Sequence, residues 1–319
     1  MVNKYPAYIL DAFTGTRFCG SQAAVCLIKE KLSDEVYQKI GAEFNLAATA
    51  FPIPLDTDDF RTAKRFGLRW FTPKLEVPLC GHATLATSHV ILNEIGNANS
   101  SITFETHSGD LIVRKASDPA GHLTMNFPQF ELTPLALGEW PDNYHLSNFG
   151  QLTTPPDFVN DLIEVIACGR KVVAVAYPPS NKSRNVVVAV EEMTRKEFEG
   201  LAPPVEQLMK IHPSGDYIKG IILTVKASAE KGFVDSAGHP YDFASRYFAP
   251  WYGIKEDPAT GSAHSVLGPF WERVLNKKEL KAVQCYPTRG AEFHLKQLEN
   301  DRVDMTGQAI VVIRGEIDI

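Results

Sequence analysis

Two glycine turns hold the residues of this chain best suited to chemistry: Cys80-Gly81-His82 and, 180 positions later, Thr260-Gly261-Ser262. Each opens a stretch of almost wholly apolar or small residues, ATLATSHVILNEI (83–95) and AHSVLGPFWERVL (263–275), which reads as a buried helix. A helix start leaves backbone N–H groups unpaired and carries partial positive charge, so it can grip an anion such as a carboxylate. Glycine there lets a ligand approach the backbone closely, and it equally allows tight helix packing. His82, at the second position of its turn, is a candidate for proton transfer or for structural hydrogen bonding. Asp257, in EDPATGSA (256–263), is a candidate ligand contact or the N-cap of the second helix. Cys80 at a helix start would have its thiolate stabilised. The matching position is Thr260, whose hydroxyl is too weak an acid for a two-thiol exchange.

The turns belong to a longer repetition. Arg69-Trp70-Phe71-Thr72-Pro73 has a counterpart in Arg246-Tyr247-Phe248-Ala249-Pro250, and Ser108-Gly109 and Met125 find theirs in Arg289-Gly290 and Met305. Offsets of 177, 180, 181 and 180, in order, predict a duplicated domain. The Pro-rich, polar stretch 128–146 marks the boundary, giving halves 1–130 and 131–319 with a cleft between them as the expected site. Strand-like runs such as YILDAF, ATAFPI and GLRWFT, and later KVVAVAY, GIILTV and AIVVIRG, outnumber helices. Each half is therefore expected to curl a mixed sheet around one central helix. A doubly wound nucleotide-binding sheet does not fit, because strands are in excess and no GxGxxG occurs.

At 319 residues, with 44% hydrophobic and 22% charged side chains, the chain has the composition of a soluble two-domain protein. A net charge of −6 without a Lys/Arg cluster argues against nucleic acid as partner. No run of 18 apolar residues predicts a membrane span, and the first residues do not read as a signal peptide. Five cysteines without close pairing, and nine histidines without ligand spacing, point to a reducing, cytoplasmic setting and no metal.

Four stretches carry a resemblance that runs nearly end to end: DAFTGTRFCGSQAAVCL, GLRWFTPKLEVPLCGHATLATSHVIL, SRYFAPWYGIKEDPATGSAHSVLGPFW and QCYPTRGAEF. In these the chain resembles the PhzF-like family of phenazine-biosynthesis isomerases. The resemblance implies an α/β fold of the diaminopimelate-epimerase type, with two pseudo-symmetric halves. It also implies cofactor-independent isomerisation of a small cyclic or amino-acid-like carboxylate in a biosynthetic setting, and a homodimer. In the family a glutamate in a segment of the form E-x-N-L-S-E-T-A-F shuttles the proton. Here Glu43-Phe44-Asn45-Leu46-Ala47-Ala48-Thr49-Ala50-Phe51 places Ala48 at that position. The resemblance assigns His82, Asp257, Gly81, Gly261 and Ser262 to positions that hold and orient substrate. Two further departures are Ser21-Gln22, where Asn-Pro is usual, and Arg289-Gly290-Ala291, where the family has Arg-Gly-Gly. Two functions follow from these residues. One is an isomerase in which His82 and Asp257 replace the lost glutamate, Glu43 facing elsewhere on its helix. The other is a pseudo-isomerase that binds a small molecule or a protein partner without turnover.

Overall fold

Parallel neighbours in a sheet need a long crossover connection, usually helical, and at each parallel step described here the chain crosses over through a helix. The computed structural model describes residues 3–117, 120–178 and 183–319. The chain forms two compact units, residues 1–127 with 304–319 and residues 128–303.

The first unit runs β1 (Lys4–Ala12), β2 (Ser21–Cys26), α1 (Asp34–Phe44), β3 (Ala48–Pro54), β4 (Arg65–Phe71), β5 (Glu76–Val77), α2 (Gly81–His89), β6 (Ser101–Thr106), β7 (Gly109–Lys115) and β8 (Leu123–Pro128). The second contains β9 (Thr133–Pro134), α3 (Phe158–Ala167), β10 (Val172–Tyr177), β11 (Asn185–Val190), α4 (Arg195–Gly200), α5 (Leu208–Ile211), β12 (Gly220–Lys226), β13 (Phe243–Ala249), β14 (Ile254–Asp257), α6 (Gly261–Leu275), β15 (Glu279–Gln284) and β16 (Ala291–Gln297). β17 (Arg302–Gly307) leads back into the first unit, where β18 (Ala309–Asp318) pairs antiparallel with β1.

The duplication is explicit in strand polarity. In the first unit β18–β1–β2 are antiparallel, β2–β3 parallel, β3–β4 antiparallel, β4–β6 parallel and β6–β7 antiparallel. β9–β10–β11–β12–β13–β15–β16 repeats that series step for step in the second. In both, the second parallel step is bridged by the small-residue helix, α2 or α6. The registers make Ala48 the counterpart of Gly220, Ala23 that of Asn185, and Trp70 that of Tyr247.

α1 begins on Ser33, whose side chain accepts from the Val36 N–H, and carries Asp34 and Glu35 in its first turn, where the helix dipole favours anions. Asn45 ends it in the left-handed region at φ 50°, turning the chain into β3. α1 packs Tyr37 and Ile40 on the sheet face that carries Cys26, Phe51 and Phe71. Side chains alternate across a strand, so Ala23, Ala48, Ala50 and Trp70 lie on the opposite face. That is the side of α2.

α2 is buried from Gly81 through Ser88. Its hydroxyls are satisfied within the helix: Thr84, Thr87 and Ser88 donate to the carbonyls of Cys80, Ala83 and Thr84 at 2.6, 2.7 and 2.7 Å. α6 likewise buries Gly261, Ala263 through Trp271 and Val274. Among the described residues, no helix is long and apolar enough to cross a membrane.

Candidate active site

Both central helices start without a side-chain cap. Cys80 and Thr260 occupy the N-cap positions, and neither makes a side-chain bond to the helix N–H groups. The first-turn N–H groups are thus not consumed by a cap, as an anion-binding helix start requires. Gly81 and Gly261 are the first helical residues, and His82 and Ser262 the second. Thr84 and His264, also 180 residues apart, both bond back to the N-cap carbonyl, His264 through Nδ1 at 2.9 Å.

In the first half, His82 is 8% exposed, and burial pushes its imidazole down to about 4, so it is neutral at pH 7. Cys80 Sγ lies 3.6 Å from its Nδ1 and 3.8 Å from its Nε2. Ala48 opens β3 at 1% exposure and offers no titratable group. Glu43 is exposed on α1.

In the second half, Asp257 ends β14 and is not the helix cap, which corrects the N-cap alternative: the chain stays extended through it, and Thr260 takes the cap position. Its carboxylate accepts from Thr260 Oγ1. Burial pushes its pKa up to about 6, against the lowering effect of the Thr260 hydroxyl and the Ala259 N–H. Gln284, at the end of β15 and wholly buried, ties this strap together. Its Nε2 donates to the Asp257 carbonyl and to Thr260 Oγ1, and its Oε1 accepts from the Thr260 N–H at 2.7 Å. Ser262 remains partly accessible.

Gln284 was not among the residues singled out by sequence, although it opens the stretch QCYPTRGAEF. A second unforeseen group is Ser183–Asn185–Tyr247. Tyr247 Oη donates to Asn185 Oδ1 at 2.9 Å, and Asn185 Nδ2 donates to Ser183 Oγ at 3.2 Å. Tyr247 stands opposite Asp257 in the β13–β14 pair. Trp140 and Trp251 are half-buried and donate their indole N–H groups to the Leu135 and His212 carbonyls.

The helix starts, the repeated ladder and the buried Asp257 describe a fold with a known counterpart. The family described as phenazine biosynthesis-like protein matches residues 10–315. The chain belongs to the PhzF-like family. This PhzF-like protein is 42% identical to phenazine biosynthesis-like domain-containing protein 1 of Mus musculus, over 98% of its own length and 99% of the relative's. It is 35% identical to an uncharacterized isomerase of Halalkalibacterium halodurans, over 98% of each chain. The crystal structure of a PhzF family phenazine biosynthesis protein from Enterococcus faecalis matches with a TM-score of 0.74 at 30% identity, covering 99% of both chains. The PhzF-like fold is of the epimerase type that the resemblance implied.

Proposed function

We propose that this PhzF-like protein is a cofactor-independent isomerase that moves a proton within a small cyclic or amino-acid-like carboxylate. The observation that carries this reading is Asp257, a buried carboxyl raised to about 6 that accepts from Thr260 Oγ1, while Gln284 ties down the Asp257 carbonyl ahead of α6. A general acid/base works best with a pKa near the working pH, and Asp257 has one without the glutamate that Ala48 replaces. Ser262 and the free N–H groups after Gly261 bind the substrate carboxylate in that half. Gly81 and His82 are the matching binding and proton-transfer candidates of the first.

Incubation in D₂O with trans-2,3-dihydro-3-hydroxyanthranilate and a panel of cyclic amino acids, followed by mass spectrometry, tests the reading. Solvent deuterium is expected in one of these compounds, and Asp257→Asn is expected to slow its entry about 10²–10⁴-fold. Ala48 favours the second reading, a binder built on an isomerase. That reading prevails if only Ala48→Glu exchanges protons while the natural chain merely gains thermal stability from the same ligands.

A further inference from the structure

The duplication separates what the fold needs around Asp257 from what it does not. Asp257 stands opposite Tyr247 of β13, as Val77 stands opposite Trp70 of β4, and each lies three residues before the N-cap of its central helix. Ala244 pairs with Val283 and Gly67 with Glu105, so the residues that end the next strands, Gln284 and Thr106, are counterparts. The trio Asp257, Thr260 and Gln284 therefore reads Val77, Cys80 and Thr106 in the first half. There the Thr106 hydroxyl donates to the Gly109 carbonyl of its own hairpin at 2.7 Å, and α2 is still buried from Gly81 through Ser88. Strap and central helix thus form without the three polar groups, which leaves their presence in the second half to be explained by chemistry.

The direction of the hydrogen bonds in the trio is fixed by its main-chain partners. The Thr260 N–H can only donate, so the Gln284 atom that meets it at 2.7 Å is the amide oxygen. The Asp257 carbonyl can only accept, so it meets the amide nitrogen, whose other proton reaches Thr260 Oγ1 at 3.1 Å. A hydroxyl holds one proton, and Thr260, accepting from Gln284, is left to donate it to Asp257 Oδ2. We propose that Gln284 is a positioning residue for proton transfer by Asp257: its amide turns the Thr260 hydroxyl onto the Asp257 carboxylate and keeps it there. The proposal rests on the isomerase reading above. Asp257 takes a proton from one substrate carbon, and the electron pair left behind is delocalised through the substrate until Asp257 returns the proton to a second carbon. A hydrogen bond received by the carboxylate favours its ionised form, so the relay opposes the rise that burial imposes. Gln284, wholly buried and pinned at both ends of its amide, cannot turn round between the two steps.

Two readouts need no substrate. The Asp257 carboxyl, labelled with carbon-13 and assigned by its loss in Asp257→Asn, is titrated by NMR. Thr260→Val keeps the shape of the side chain and both ties from Gln284 to the main chain. It is expected to raise the Asp257 midpoint by about one pH unit, and Thr260→Ser to restore it. In the side-chain amide spectrum, Thr260→Val is expected to move one Nε2 proton of Gln284 upfield and leave the other in place. Gln284→Met, of similar length, is expected to raise the Asp257 midpoint in the natural chain and to add nothing in Thr260→Val, because the amide acts through the hydroxyl. A Gln284 that merely braces the strap would lose stability in Gln284→Met without moving the midpoint, and that result overturns the proposal. Amide protons indifferent to Thr260→Val overturn it as well, and decide the matter alone if Gln284→Met does not fold. In the deuterium assay the acid limb of the pH–rate profile is expected to follow the midpoint upward in Thr260→Val. An acid limb that stays in place removes the relay and leaves the isomerase reading standing. Shifted midpoints with no exchange on any compound support the relay and remove the isomerase reading instead.

Discussion

Asp257 and His82 are both buried, yet burial moves them in opposite directions, and acid titration separates them. Asp257 rises from 3.8 to about 6 on folding, so the folded chain holds that proton more tightly than the unfolded one. Its stabilising contribution is complete below the unfolded value and is lost as pH rises through about 6, a difference of about 3 kcal/mol by pH 7. Asp257→Asn is therefore expected to gain stability relative to the natural chain between pH 4 and 7, read from melting temperatures across that range. A constant difference would mean the carboxyl is not shifted. His82 falls from 6.5 to about 4, so its contribution is complete above pH 6.5 and is lost as pH drops through about 4. His82→Gln is expected to blunt the acid-side loss, and equal acid sensitivity in variant and parent would refute that. Both residues were legible in the sequence because a glycine turn before an apolar helix is a local signal. Gln284 and Asn185 were not, since Gln284 meets Thr260, and Asn185 meets Tyr247, only through strand register, 24 and 62 positions away in sequence.

At the level of elements, the two halves share an ion pair that fastens the short strand before each central helix. Arg69 on β4 forks onto Glu76 of β5 at 2.7 and 2.6 Å, and Arg246 on β13 forks onto Glu256 of β14 at 2.7 and 3.0 Å. The sequence paired the two arginines but not their partners, because the glutamates follow at different spacings, seven and ten residues on. Burial separates the two. Arg246 and Glu256 are 3% and 14% exposed, and Arg246 also donates to the Phe198 and Leu201 carbonyls, whereas Arg69 and Glu76 are 20% and 27% exposed. Truncating one partner of a buried pair strands the other charge. Arg246→Ala is expected to cost about 3–5 kcal/mol in urea unfolding, and Arg69→Ala distinctly less; equal losses would show that burial is not the deciding factor. The same ladder constrains Gly220, where an added Cβ would lie 2.1 Å from Asn185 Oδ1 and 2.3 Å from Tyr247 Oη. Gly220→Ala is expected to lose about 1–3 kcal/mol through overpacking. An unchanged unfolding midpoint would mean that the Asn185–Tyr247 bond gives way at no cost.

The whole molecule is not two beads on a string, because residues 304–319 return to the unit that begins the chain. β18 runs along the whole of β1, from Lys4 opposite Asp318 to Ala12 opposite Ala309, with a bulge between Ile9 and Leu10. The short β9 plays the corresponding part against β10. AIVVIRG announces a strand but carries no sign of which strand it will join, so the duplication was readable from sequence while this closure was not. β18 covers the backbone edge of β1 and buries Ala309 and Val311, and α2 packs against it as well. An uncovered, apolar β1 would be an open pairing edge. Removing residues 309–319 is therefore expected to loosen the first unit and leave the second folded, since the second contains its own core, from Val159 and Ile166 to Val225 and Phe248. Limited proteolysis reads this directly: the truncated chain should be cut first within residues 3–117, while a fragment spanning 128–303 persists. Equal protection of both regions would show that β1 holds its place without β18, and that the ladder from β1 to β7 is sufficient for the first unit.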